Sequence, residues 1–433
     1  MQKKMIALAV AAALTAPVMA FADTGASSVS VYGVLDLGLA QETNAGNFAP
    51  TFVTGAVPIG AQPKKIGTVR GMMNGGESQS RWGIKGAEDL GNGNSAFFQL
   101  ESAFSLGTGQ LATSGLAGAG GATNRNMVAD TALNGQLFNR MAFVGLSNSD
   151  LGAVTFGRQY SLQLDIIGSV GGGYDPVNAQ VFSPINFSGA YGGGGATDNS
   201  RVDNAIKYAN KFGNFNVNAL YGMGGQATAT SARSNAQANV GYEADTFGVQ
   251  AAVQYANDTT GIGANAAPNT VDVTWENLTS YMLAGRWQVL DALTLKAGYE
   301  REQISAPGNA GLDLTNTNVY SYNIGANKLF GPVQRDLNVY WLGANYQFTP
   351  VVKGSIGYYD VVAASGTGNA AGTAATTTEG TDKYYSAMVE YNLSKKTNLY
   401  AAMMLDKKSG SLAAGGTVPS NFNTYGVGVR IKF

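Results

Sequence analysis

The chain ends Tyr425-Gly426-Val427-Gly428-Val429-Arg430-Ile431-Lys432-Phe433, and this stretch decides the fold. Apolar side chains stand at 425, 427, 429, 431 and 433, with glycine, arginine and lysine between them. A helix repeats every 3.6 residues and would scatter such a pattern around its axis. An extended strand sends alternate side chains to opposite faces and so separates the two sets. The same period of two recurs upstream. Leu399, Ala401, Met403 and Leu405 alternate with Asn398, Tyr400, Ala402, Met404 and Asp406. Tyr385, Ala387, Val389, Tyr391 and Leu393 alternate with Tyr384, Ser386, Met388, Glu390 and Asn392. Leu293, Leu295, Ala297 and Tyr299 alternate with Thr294, Lys296, Gly298 and Glu300.

These segments run to about ten residues, which is what a tilted strand needs to cross a bilayer; strands of soluble sheets are nearer five or six. The apolar faces carry aromatic residues near their ends, as membrane-interface girdles do. The other faces are polar and rich in glycine but also hold charges, which a dry core would reject and a water-filled lumen accepts. Sixteen segments follow the pattern: 29–40, 79–88, 95–104, 139–147, 152–160, 201–210, 215–222, 235–244, 247–257, 279–290, 293–303, 335–348, 351–362, 383–393, 397–406 and 423–433. Short turns such as Asp245-Thr246, Asp291-Ala292 and Thr349-Pro350 alternate with long loops rich in Gly, Ala, Thr, Asn and Ser. The expected fold is therefore all-β: a sixteen-stranded antiparallel transmembrane barrel, with short turns on the periplasmic rim and long loops outside. Residues 304–334 fit the count least well, and Asn318 to Asn323 could add a strand-like piece there.

The N-terminus agrees. Lys3 and Lys4 precede the apolar run Ile6 to Leu14, and Ala20-Phe21-Ala22 is a small-x-small cleavage site. Residues 1–22 read as a secretory signal peptide and 23–433 as the mature barrel. The chain has no cysteine and no histidine, which excludes a disulfide framework, a Cys- or His-ligated metal and a Ser-His-Asp triad. Charged residues make up 13% of the chain with a net charge of -1, so there is no basic face for nucleic acid. The glycine runs 171–173 and 192–195 lack the strand, helix and Lys-Ser/Thr context of a phosphate loop.

Parity then orients the charges. With Trp82 and Ile84 facing lipid, Arg81 and Lys85 face the lumen. With Met141 and Phe143 facing lipid, Arg140 points inward. With Ile206 and Tyr208 outward, Arg201, Asp203 and Lys207 are inward, and Glu101 and Gln99 share the inward face of the third strand. A charge on the lipid face costs roughly 2–4 kcal/mol near the midplane, which enforces this orientation. Arg158 shares the parity of Val154 and Phe156 and breaks the rule, so a strand end or a local bulge is expected there.

Three stretches carry a resemblance. They are Val31-Tyr32-Gly33-Val34-Leu35-Asp36, Ser80-Arg81-Trp82-Gly83-Ile84-Lys85-Gly86-Ala87-Glu88-Asp89-Leu90-Gly91-Asn92-Gly93, and Asn139-Arg140-Met141-Ala142-Phe143-Val144-Gly145-Leu146 with Phe156-Gly157-Arg158-Gln159-Tyr160. In this order, with the terminal Phe433, they resemble the Gram-negative general porins, especially those of the β-proteobacterial branch. The resemblance spans essentially the whole mature chain. It implies a homotrimer and a third loop, about 161–200, folded into the lumen. It places a basic cluster of Arg81, Arg140 and Arg201, with Lys85 beside them, at the narrowest section. It puts loop acids opposite, here Asp165 and Asp175, with Glu101 also on the acidic side. Where some relatives carry a first-strand lysine, this chain has Val34. Phe433 stands where the family has its signal to the outer-membrane barrel assembly machinery. The other expected partners are outer-membrane lipid, lipopolysaccharide, ions and small hydrophilic solutes; no cofactor and no enzymatic activity are implied. A substrate-specific channel is the alternative. A sugar channel would need an aromatic track along the lumen, and the inward aromatics Tyr32, Phe97 and Tyr384 are scattered.

Overall fold

A computed structural model describes residues 28–45, 67–109, 111, 137–168, 173–185, 201–225, 230–264, 271–305, 318–319, 322–323, 328–330, 335–370, 373–410, 412 and 421–433. The expected signal peptide, parts of the 161–200 loop and most of loop 304–334 lie outside them. The barrel strands are β1 (Ser28–Ala45), β2 (Gly67–Asn74), β3 (Arg81–Gly91), β4 (Asn94–Ala103), β5 (Met141–Asn148), β6 (Gly152–Tyr160), β7 (Arg201–Phe212), β8 (Phe215–Gly222), β9 (Asn235–Glu243), β10 (Phe247–Ala264), β11 (Val271–Leu290), β12 (Leu293–Ser305), β16 (Arg335–Thr349), β17 (Val352–Ala363), β20 (Gly380–Asn392), β21 (Thr397–Gly410) and β22 (Asn421–Lys432). Loop pieces β13 (Asn318–Val319), β14 (Tyr322–Asn323), β15 (Lys328–Phe330), β18 (Gly366–Ala370) and β19 (Thr373–Thr377) complete the set. Asn318–Val319 does pair with Tyr322–Asn323, as the sequence suggested.

Each barrel strand pairs antiparallel with its neighbours. The ring closes where β1 pairs with β22, Val34 opposite Lys432 through to Thr43 opposite Asn423. β2 and β3 lie on the same side of β1: Leu37 to Ala45 face β2, and Ser28 to Val34 face β3. They are two halves of one strand interrupted at 75–80, so the closed barrel has sixteen strand positions. Closure removes every free edge, the condition for placing a sheet in lipid.

The two faces differ as the alternation requires. On β16, Trp341 is 2% exposed and its neighbour Leu342 is 59% exposed. Ile356, Val427 and Val144 are likewise bare on the outside. On β5 the parity is the reverse of the expected one: Met141 and Phe143 are buried opposite Glu101 and Gln99 on the lumen face, while Val144 and Leu146 face lipid. A continuous exposed apolar surface of this kind belongs against hydrocarbon. Trp287, Tyr346, Phe348 and Tyr391 ring the barrel near the short turns, and Tyr255, Tyr281, Tyr340, Tyr385 and Tyr425 ring it toward the long loops.

Phe433 completes the seam. Its N–H donates to Gly33 O at 3.1 Å and its carbonyl accepts from Gly33 N at 3.2 Å. Its ring lies where a Cβ on residue 33 would stand, so Gly33 is needed for the close approach. Deleting Phe433 removes both bonds and the ring from the seam that closes the barrel. The expected result is a large fall in heat-modifiable folded barrel with export unchanged, read by gel mobility of membrane and periplasmic fractions. Equal folded fractions with and without Phe433 contradict this.

Arg158 follows the bulge expectation. The β6–β7 register shifts between Gly157 and Gln159, with Gly157 at φ +131°. The guanidinium is buried, donates to Asn139 O at 2.9 Å and pairs with Asp203.

Candidate channel constriction

The wall from β3 to β7 gathers the expected arginines around one carboxylate. Arg140 Nε donates to Glu101 at 2.5 Å, and Arg81 Nε stands 3.5 Å from the same carboxylate. Arg140 also bonds Gln79 and the Tyr160 hydroxyl. Arg140 and Arg201 lie over the Tyr160 ring at 5.4 and 5.3 Å from its centroid. Cations this close repel one another unless an anion sits between them; Glu101, 2% exposed, does so. Tyr32 extends the network, donating to Glu101 at 3.0 Å and accepting from Gln99 at 2.6 Å. Lys85 lies over the Tyr32 ring at 5.4 Å, one layer away from the three arginines.

The third loop crosses to the opposite wall. Its short helix Leu162–Gly168 buries Leu162, Leu164, Ile166 and Ile167. Gln237 caps the Leu162 N–H at 2.6 Å. Further along, Lys296 donates to Gly173 O at 2.5 Å and Asp175 O at 2.9 Å, Trp341 to Tyr174 O at 3.0 Å, and Asn345 to Pro176 O at 2.6 Å. All three donors project from the barrel's inner face. The inward aromatics Trp341, Tyr359 and Tyr384 share one apolar cluster with Leu164, Ile166, Ile167 and Tyr174, so the loop covers them and they form no track for solute.

This arrangement sorts the expected acids. Asp165 pairs with Lys207. Asp175 accepts from the Tyr359 hydroxyl at 2.6 Å and from Ser183, and so fastens the loop to β17. Burial pushes both carboxyls above the usual range, opposed by Lys207 at Asp165 and by the Ser183 and Tyr359 hydroxyls at Asp175. Glu101, expected across the pore, stands among the arginines instead. Among the described residues, the loop turns Leu164, Gly168, Val177, Asn178 and Gln180 toward the cavity, and none of these is charged.

Sequence reading missed the hook at 75–80 between β2 and β3. Asp36 organises it. Its carboxylate accepts from Glu77 N at 2.9 Å, Ser78 N at 2.6 Å and the Tyr400 hydroxyl at 2.6 Å, and its carbonyl accepts from Gly75 N at 3.0 Å. The hook then holds the far end of the loop: Gln180 N donates to Glu77 O at 3.0 Å and Val181 N to Gly76 O at 3.1 Å. Val177, Val181 and Phe182 pack there on Met73, Met388 and Tyr400. Glu77 pairs with Arg430 and accepts from Asn398 at 2.7 Å, while Lys353 pairs with Glu390 at 2.6 Å. The available signal was Asn74-Gly75-Gly76, a turn sequence directly after Met72-Met73.

Asp36→Ala strands the Tyr400 hydroxyl and two N–H groups in a fully buried place. Each unsatisfied group costs about 1–3 kcal/mol. The folded barrel should lose its compact, heat-modifiable form at a clearly lower temperature than wild type, with Asp36→Asn intermediate because it keeps one acceptor. Loss of that form by Asp36→Ala only at the wild-type temperature would show that the hook bears no load.

Known proteins place this geometry. A model of the Gram-negative porin family matches residues 7–411. An outer membrane porin protein of Bordetella pertussis is 34% identical over 155 residues, 35% of this chain and 34% of the relative, so the match spans about a third of that relative's length. Among solved structures, an anion-selective porin from Comamonas acidovorans has a TM-score of 0.59 at 19% identity, over 94% of this chain and 100% of that one. OmpT, an outer membrane protein of Vibrio cholerae in a trimer form, gives 0.56 at 15% identity over the same shares, 94% and 100%. OmpF of Salmonella typhi gives 0.52 at 17%, over 94% and 97%. These structural likenesses speak to the fold. With the family model running from residue 7 to residue 411 and the barrel closed, the chain belongs to the Gram-negative porins, β-barrel proteins of the outer membrane.

Proposed function

We propose that the protein is a trimeric general diffusion channel, passive rather than enzymatic, that admits ions and small hydrophilic solutes and favours anions. The observation that carries this is the lumen beside the third loop. Among the described residues, a cavity of about 560 Å³ is lined by Arg81, Arg140, Arg201, Arg286, Lys296, Lys353, Arg430 and Lys432 against only Glu77, Asp291 and Glu390. Among the described residues the loop adds no charge to this lining, so fixed positive charge dominates the cavity and biases which ions enter it. Arg81, Arg140 and Arg201 are the constriction's basic face on this reading. The aromatics buried under the loop argue against the sugar-specific alternative.

Support for the trimer comes from the outer surface. Tyrosines mark the long-loop interface on β10, β11, β16, β20 and β22. Among the described residues, the outward face of β1 to β6 carries none; Val31, Leu39, Val144, Leu146 and Phe156 are exposed there. A face without tyrosines at the long-loop level suits contact with other copies of the chain.

Refolded protein should run as an SDS-resistant trimer that heat converts to monomer. Liposomes carrying it should swell in small neutral and anionic solutes, faster in the anionic ones. A soluble periplasmic monomer, or liposomes no more permeable than controls, would overturn the reading.

A further inference from the structure

The cavity beside the third loop is charged on one side and uncharged on the other. Arg81, Arg140 and Arg201 line it from the barrel wall. Among the described residues, the loop side presents Leu164, Gly168, Val177, Asn178 and Gln180. The fate of the loop acids explains the difference. Asp165 is held by Lys207, Asp175 by the Tyr359 and Ser183 hydroxyls, and neither lines the cavity. The carboxylates that do line it belong elsewhere. Glu77 and Glu390 pair with Arg430 and Lys353, and Asp291 lies in a short turn.

The cationic wall is itself broken by an apolar side chain. Val34 lies opposite Arg81 on β3 and opposite Lys432 on β22. All three line the cavity, so one inward row sets a valine between two cations. Apolar groups therefore stand both among the cations and across from them.

This asymmetry decides which anion fits. Water between fixed charges of opposite sign is held from both sides, and an apolar group that displaces it loses those hydrogen bonds. Water between a cation and an uncharged surface is held from one side, and an apolar group displaces it with a gain. An inorganic anion uses the guanidinium groups alone. A carboxylate that carries a compact apolar group uses both features. Its oxygens take a guanidinium in pairs, and its apolar end leaves water against Val34, Leu164 and Val177.

We propose that the passage favours small amphiphilic anions, carboxylates joined to a compact apolar group, over polar carboxylates of the same size. The proposal rests on the anion-channel reading and names the solute class of that same passage.

The test uses the full trimer in planar bilayers. The probes are pivalate and its near-isostere α-hydroxyisobutyrate, in which a hydroxyl replaces one methyl. Zero-current potentials with chloride on one side and either carboxylate on the other give each permeability relative to chloride. In wild type, pivalate should pass about two- to fourfold more readily than α-hydroxyisobutyrate, the upper figure matching full burial of one methyl group. Asn178→Asp and, separately, Gln180→Glu each put an acid on the loop side. Asn178 has φ +49°, a conformation that aspartate also adopts. Each variant should weaken the chloride preference in dilute KCl and bring the ratio of the two carboxylates to about one.

A wild type that passes chloride but takes both carboxylates equally, or the hydroxylated one more readily, overturns the proposal. So does a ratio unchanged in both acid variants. If their KCl potentials shift, an acid facing the passage does not matter; if they do not, the loop side does not face the passage. A wild type without conductance, or with a potassium-side potential in dilute KCl, overturns the channel reading and this proposal with it, and so is distinct from a failure of the solute class alone.

Discussion

Replacing Arg140 by serine should move the zero-current potential toward cations in dilute salt while leaving a folded trimer. Arg140 is one of three arginines around a single carboxylate, so its loss cuts the cluster from three cations and one anion to two and one. A unit charge about 5 Å from a passing ion is worth roughly 0.8 kcal/mol at the dielectric constant of water, about a fourfold bias in local ion concentration. A confined pore makes it larger. The shift should fade at about 1 M salt, where the screening length drops to about 3 Å. Glu101 keeps Arg81 at 3.5 Å and the Tyr32 hydroxyl, so its charge stays compensated and the barrel wall should hold. The control is Lys395→Ser in a short turn, exposed and outside the lumen lining. Equal potentials for wild type and Arg140→Ser in a dilute gradient, or an equal shift from Lys395→Ser, would remove Arg140 from the selectivity-setting section.

The second large effect concerns the third loop. Replacing residues 174–181 by a short Gly-Ser linker removes the main-chain acceptors of Trp341 and Asn345, the Asp175 link to Tyr359 and both backbone bonds to the hook. The barrel hydrogen bonds are untouched, so the trimer should still form. Single-channel conductance should rise severalfold, with weaker ion selectivity, because the uncharged side that presses solute toward the arginines is gone. Lys296→Ala should act more mildly, freeing the Gly173 and Asp175 carbonyls and raising open-channel noise. Unchanged conductance in the linker variant would mean the loop does not define the passage.

What the sequence made legible follows from where each signal lives. The barrel was readable because lipid on one side and water on the other force a period of two along every strand. Arg81 and Arg201 were readable for the same reason, since parity sent them inward. Arg140 was expected inward because Met141 and Phe143 were read as lipid-facing; those two instead stand opposite Glu101 and Gln99 on the lumen face, and Arg140 reaches Glu101 from just before β5, outside that strand's alternation. Arg158 broke parity, and a bulge at Gly157 accounts for it. The acids were not readable. Asp165 and Asp175 sit on a loop, where no period tells which way a side chain points, and partners distant in sequence decide: Lys207 for one, Tyr359 for the other. The hook stayed hidden because β2 presents Thr68, Arg70 and Met72 outward, too polar a series to read as a lipid-facing strand. Asp36 looked like one more inward polar residue on the first strand. Its role depends on contacts with Glu77, Ser78 and Tyr400, which no local pattern encodes.

On the proposed reading, this barrel is an open passage whose fixed charge is positive. The most direct measurement is the zero-current potential of the wild-type trimer in a planar bilayer under a KCl gradient, repeated from dilute to concentrated salt. The expected result is stepwise, persistent conductance with a potential on the chloride side that shrinks toward zero as salt rises. An absence of conductance, or a potassium-side potential in dilute salt, would contradict it.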